Sequence, residues 1–241
     1  MNSNLLCNGY FVPTTNSWGF IKCNLNSLVD TYRVWNVNLQ DVANGTGGVR
    51  DVLERIDPIN YTKAAFLETQ SEWTAVFENR GIESNIIGYL SEKLRCLGVR
   101  VCICEHTYTG GLTGQCGAIQ MEIFSFNLLK ESRNREEVTR AIYLQVDDDD
   151  KWIFGESGNP LPFENTTIYK KRRIKERFTE ELLISYCEKL GIRLLDEDFY
   201  GGHYSIFYSQ YYDALQTEQT TYDQYHKTRE LRYGRYQDAY Q

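Results

Sequence analysis

The sequence has little of what catalysis normally needs. Only three histidines occur in 241 residues. No G-x-S-x-G, H-E-x-x-H or dinucleotide fingerprint is present, which removes the common nucleophile, zinc-protease and nucleotide readings. No apolar run approaches the roughly 18 residues of a membrane-spanning helix. The opening MNSNLLCNGYFVP has no basic stretch followed by an apolar one, so it does not read as a secretory signal, and a cytoplasmic location is expected. The glycine-rich stretch 44–48, NGTGG, lacks the Gly-Lys-Ser/Thr ending of a phosphate-binding loop and reads as a plain loop.

Cysteine is present in an odd number, seven, mostly inside apolar segments where a thiol behaves as a small hydrophobe. Cys102, Cys104 and His106 alternate on one strand face, but metal ligation wants C-x2-C or H-x3-H spacing. Core packing is the expectation there, with no metal and no cofactor. Asp147–Asp150 followed by Lys151 lacks the alternating oxygens and closing Glu of a calcium loop, so it reads as a turn between strands.

Charge is the first positive signal. With 33 acidic against 26 basic residues the formal net charge is −7, which disfavours nucleic acid and favours a basic protein partner. The length allows one large or two small domains with a proper core. Residues 1–60 read poorly: short strands at Tyr10–Val12 and Gly19–Cys23, then a helix over Ser27–Trp35. Beyond them, Lys63–Glu68 and Trp73–Glu78 read as a hairpin. Ser84 caps a helix with Ile86, Ile87, Leu90, Leu94 and Leu97 on one face, closed by Gly98. Strands follow at Val99–Glu105, Ala118–Phe126, Val138–Val146 and Lys151–Phe154. A third helix starts after Thr179, carries Leu182, Leu183, Tyr186 and Leu190 on its buried stripe, and stops at Gly191. The pattern predicts an α+β fold, an antiparallel-rich sheet packed with a few helices. Residues 1–200 are expected to form that domain, with 1–60 either within it or a subregion of their own. Residues 201–241, rich in Tyr and Gln and short of aliphatics, read as a tail, helical or partly disordered.

Candidate site residues come from two places. The basic run holding Arg172, Arg173 and Arg177 could grip phosphate if a cleft joined it to Glu156 or Glu164, which would make an enzyme. Tyr208, Tyr211 and Tyr212 could instead form a partner surface, because Tyr offers large contact area at low entropy cost. Weaker combinations pair Cys104 or Cys116 with His106 or His203, or add Asp198 to the acids.

One stretch carries a resemblance. Trp73–Asn79 (WTAVFEN) leads into a helix and a Leu-Gly-Val-Arg strand. Later come Trp152, Phe154, Gly158, Leu161–Glu164 (LPFE), Tyr169, Arg173, Ile174 and Arg177–Thr179 (RFT). From about residue 61 to 200 this resembles a group of uncharacterised bacterial α+β proteins. The resemblance implies a fold without naming a reaction. Some small acidic bacterial proteins of that kind are immunity partners of secreted toxins, so the leading expectation is a non-catalytic binding protein that neutralises a basic toxin. The oligomeric state is left open, with a tail-mediated dimer as one alternative.

Overall fold

The computed structural model describes residues 5–36, 38–59, 63–79, 86–107, 115–125, 138–209 and 220–233, the last six of these as backbone alone. Its centre is one antiparallel sheet built from β1 (Ser17–Ile21), β2 (Leu39–Gly48), β3 (Lys63–Thr69), β4 (Thr74–Glu78), β5 (Gly98–Cys104), β6 (Ala118–Phe124), β7 (Val138–Val146), β8 (Trp152–Gly158) and β9 (Tyr200–Ser209). Their order across the sheet is β2-β9-β3-β4-β1-β5-β6-β7-β8, and every neighbouring pair is antiparallel. The α+β, antiparallel expectation is met. The β3–β4 pair is the expected hairpin, and β5 to β8 form a meander in chain order.

Alternation sorts the side chains onto two faces. One face carries Trp18, Phe20, Ala65, Leu67, Val99, Val101, Met121, Ile142 and Leu144. It is covered by α2 (Val49–Ile56), α4 (Glu180–Lys189), the N-terminal turns and Tyr222 at the head of α5 (Tyr222–Tyr233). The other face carries Ile21, Phe66, Val76 and Phe207 under α1 (Leu25–Trp35) and α3 (Ile86–Leu94). Asn24 caps α1 through its Oδ1, which accepts from Ser27 N at 2.9 Å, and Leu28 and Tyr32 bury its inner stripe. Close approach of α3 to the sheet requires glycine: a Cβ on Gly19 would run into Ile87, and one on Gly98 into Ser91.

Several expectations shift. Residues 200–209 do not begin a tail: β9 lies between β2 and β3, with Tyr204 opposite Gly45 and Leu67. Tyr200 and Tyr204 are buried, and Tyr200 packs near Phe20 and Phe77. The polar look of the segment misleads because a phenol ring buries its area while its hydroxyl bonds. Tyr200 Oη donates to Leu194 O at 2.7 Å and accepts from Trp18 Nε1 at 3.2 Å. Within residues 5–59, β1 is interior to the sheet and β2 is its edge, which fits the alternative of one domain. The NGTGG stretch is part of β2 rather than a loop, and residues 10–12 form a turn rather than a strand. Gly98 does not close α3. The helix ends at Leu94, Arg95 takes the left-handed conformation (φ 53°), and Gly98 opens β5. Ser84 lies outside the described residues. The basic run is flanked by and contains two short 3-10 turns, at Ile168–Lys170 and Ile174–Glu176.

Candidate functional site

The LPFE segment follows β8 and folds back over the sheet. The side chain of its Glu164 is completely buried and meets Arg140 of β7, whose side chain is 2% exposed. Arg140 Nε donates to Glu164 Oε1 at 2.9 Å, and Nη2 donates to Oε2 of both Glu164 and Glu156 at 2.5 Å. Nη1 donates to the carbonyls of Ser157 and Gly158, each at 3.1 Å, so every nitrogen of the guanidinium is used. Glu164 also accepts from Leu161 N at 2.9 Å and Tyr169 Oη at 3.0 Å. Tyr169 Oη in turn lies 3.1 Å from Tyr186 Oη of α4, which accepts from Asn165 N.

Burial alone would lower the pKa of Arg140, but its bonds to Glu164 and Glu156 outweigh that and raise it. Burial, with the Tyr186 hydroxyl and the Glu164 charge, pushes the Tyr169 phenol up. This is a satisfied structural clamp, in which a buried ion pair is bonded at both ends and holds its segment to the sheet.

Glu156 and Glu164 are therefore committed to Arg140. Arg173 is 83% exposed on its side chain and pairs with Glu176 at 3.2 Å. Arg172 is exposed. Arg177 donates from Nε to Lys171 O at 2.8 Å and stands over the Phe154 ring. Among the described residues, none of the three arginines pairs with Glu156 or Glu164. The clamp residue Arg140 was missed in the sequence because a lone Arg in an alternating strand has no local signature.

The Cys102–Cys104–His106 row does not converge. Cys104 Sγ contacts Gln115 Oε1 at 3.5 Å, while His106 Nδ1 accepts from Gly117 N at 3.2 Å and its Nε2 lies 3.1 Å from Asp150. Among the described residues no group of three or more His, Cys, Asp or Glu is placed to hold a metal. Cys102 and Cys104 are half-buried on the face opposite the main core, so they are not core residues. His203 is exposed on β9, Cys116 is exposed, and Asp198 sits in a 3-10 turn where its N–H donates to Asp196. Asp147–Asp150 is a turn. Asp147 Oδ1 accepts from the backbone N–H groups of Asp149 and Lys151 at 3.0 and 2.8 Å. No helix among the described residues is long and apolar enough to cross a membrane.

Tyr208 is on β9, half-buried and opposite Gln40 of the edge strand, while Tyr211 and Tyr212 lie outside the described residues. On the opposite face of the sheet, the end of α1 makes an aromatic corner that no local signal in the sequence singled out. Trp35 stacks on Tyr89 of α3 with ring centres 4.2 Å apart, and Lys93 Nζ lies 5.3 Å over Tyr89. Val34 is 81% and Trp35 39% exposed. Arg33 ties the corner to β2 through a two-oxygen contact with Asp41, next to the exposed Val42 at the strand's bulge. Comparison with family models, with curated proteins and with solved structures finds no match.

Proposed function

We propose that this chain is a non-catalytic protein-binding protein, and that its partner is a basic protein of the kind bacterial immunity proteins neutralise. The observation that carries the reading is the corner where exposed Val34, Trp35 and Val42 meet half-buried Tyr89. An exposed Trp stacked on a Tyr beside Arg33 and Lys93 has the composition of an interface hot spot, where a few rings carry most of the binding energy. The net charge of −7 supports a basic partner, because complementary charge speeds encounter and rejects like-charged proteins. The enzymatic alternative loses its support once Glu156 and Glu164 are occupied by Arg140.

The test takes the purified products of the neighbouring reading frames in the native host and titrates each against this protein by calorimetry. Salt-sensitive association with one basic product is expected. Trp35→Ala should weaken it by roughly 30-fold, the loss of a central Trp anchor, with the fold unchanged by circular dichroism. If no product binds even at low salt, the reading fails. If binding survives Trp35→Ala intact, the corner is not the surface.

A further inference from the structure

At one end of the sheet, the segments just after β1 and just before β5, with the β3–β4 turn, frame an open groove of about 530 Å³. Trp73, Thr74 and Leu97 contribute to its walls, and Lys22 pairs with Glu72 at 2.6 Å beside it. Two cysteines from distant parts of the chain line this groove, Cys23 and Cys96, and both are free.

Their closeness follows from strand register. Ile21 pairs with Gly98, and Lys22 N donates to Leu97 O at 2.9 Å. Cys23 and Cys96 are the next residues beyond that bond, one on each chain segment, and both line the groove. A disulfide needs Cα atoms within about 4.4–6.8 Å, the spacing of cross-strand neighbours. Each thiol perturbs the other, raising the pKa of Cys23 and lowering that of Cys96. Both are half-buried rather than sealed in the core, so a small reagent entering the groove reaches them. The neighbouring backbone is well anchored: Cys23 O accepts from Thr74 Oγ1 at 2.8 Å, and Cys96 N donates to Ser91 O at 3.1 Å.

We propose that Cys23 and Cys96 form a redox-active dithiol, which a small disulfide such as oxidised glutathione converts to an intramolecular bond. The Cys96 thiolate attacks one sulfur of the reagent, forming a mixed disulfide and releasing one glutathione thiolate. The Cys23 thiolate then attacks Cys96 Sγ, closing the protein disulfide and releasing the second. Two thiol protons leave the protein, and its two electrons reduce the reagent to two thiols. The order follows from proton affinity: the neighbouring Cys23 lowers the pKa of Cys96, whereas Cys96 and burial raise that of Cys23. Closure would join the residue before α1 to the turn after α3, stapling the two helices.

The test treats the reduced, folded protein with graded oxidised glutathione, quenches with acid and maps peptides without reductant. The expected product lacks two hydrogens, carries no glutathione, and links the Cys23 and Cys96 peptides while the other five cysteines stay free. Its melting temperature should rise by several degrees over the reduced form, because the link closes a long loop in the unfolded chain. Cys23→Ser should accumulate a stable glutathione adduct on Cys96, and Cys96→Ser should react far more slowly at Cys23. Modification confined to the exposed Cys116 overturns the proposal. So does an adduct on Cys96 that never resolves in the wild-type protein.

Discussion

The two halves of the sheet are built from the same strand pattern and end up with opposite surroundings. From β2 to β1, both faces are packed, one against α2 and the N-terminal turns, the other against α1 and α3. From β5 to β8, the main-core face is equally buried, with Val101, Met121, Ile142 and Leu144 inside. The opposite face there carries the Arg100–Glu122 ion pair, a Gln120–Gln145 hydrogen bond at 2.7 Å and Tyr143, all half-buried. Among the described residues no helix packs over the middle of that face. Antiparallel sheets tolerate one solvated face, and cross-strand polar pairs are how it is finished. The covered half holds itself by shape, whereas the far half is held at its outer edge by a buried ionic clamp. The difference teaches where each half should fail.

The largest effect should come from the clamp. Glu164→Gln leaves Arg140 buried with only the part-exposed Glu156 as counter-charge, and breaking such a pair costs roughly 3–5 kcal/mol. Urea unfolding should show a lower midpoint with an unchanged slope; an unchanged midpoint would mean that the far half is not held this way.

Alkaline pH should strike the covered half next. Burial pushes the Cys7 thiol up to about 12 and raises the Tyr200 phenol well above its usual range. Native protein therefore keeps protons that the unfolded chain surrenders. The stability these groups contribute is complete below about pH 9 and is lost as pH climbs through 10 and above. Tyr169 of the clamp adds to the same trend. A stability profile that stays flat from pH 8 to 11 would contradict these burials.

Matched glycine substitutions compare the halves directly. Gly19→Ala drives a methyl into Ile87 of α3, pinned between helix and sheet, and should cost about 1–3 kcal/mol by overpacking. Gly155→Ala drives the same methyl into the Tyr143 ring on the open face, where the ring can swing away, so the loss should stay under about 1 kcal/mol. Equal losses in thermal melts would mean the open face is as confined as the covered one. Smallest of all, Arg173→Ala should change stability by less than about 0.5 kcal/mol, because an exposed pair with Glu176 is screened by solvent.

Local signals were legible wherever one residue's backbone need decided the outcome. Thr179 caps α4, its Oγ1 accepting from Leu182 N at 3.3 Å, and Gly191 ends that helix at φ +79°. Asp147 organises the turn before β8, and the alternation of β7 matches its expected bounds. The clamp and the groove were not legible. Arg140 and Glu164 are 24 residues apart and Cys23 and Cys96 are 73 apart, and nothing local in sequence reports such pairs. β9 was hidden for another reason. Tyr counts as polar in a composition reading, yet Tyr200 and Tyr204 bury their rings while their segment alternates as a strand.

The sequence by itself determined the class of fold, the strands of the meander, the ends of α4 and the acidic balance, because periodicity, caps and charge are properties of short stretches. Only the tertiary structure decided that residues 200–209 enter the sheet, that Glu156 and Glu164 serve Arg140 rather than the neighbouring arginines, and that Cys23 and Cys96 share one groove. Those outcomes depend on strand order and register. Both are chosen by burying the whole sheet at once, which no single segment encodes.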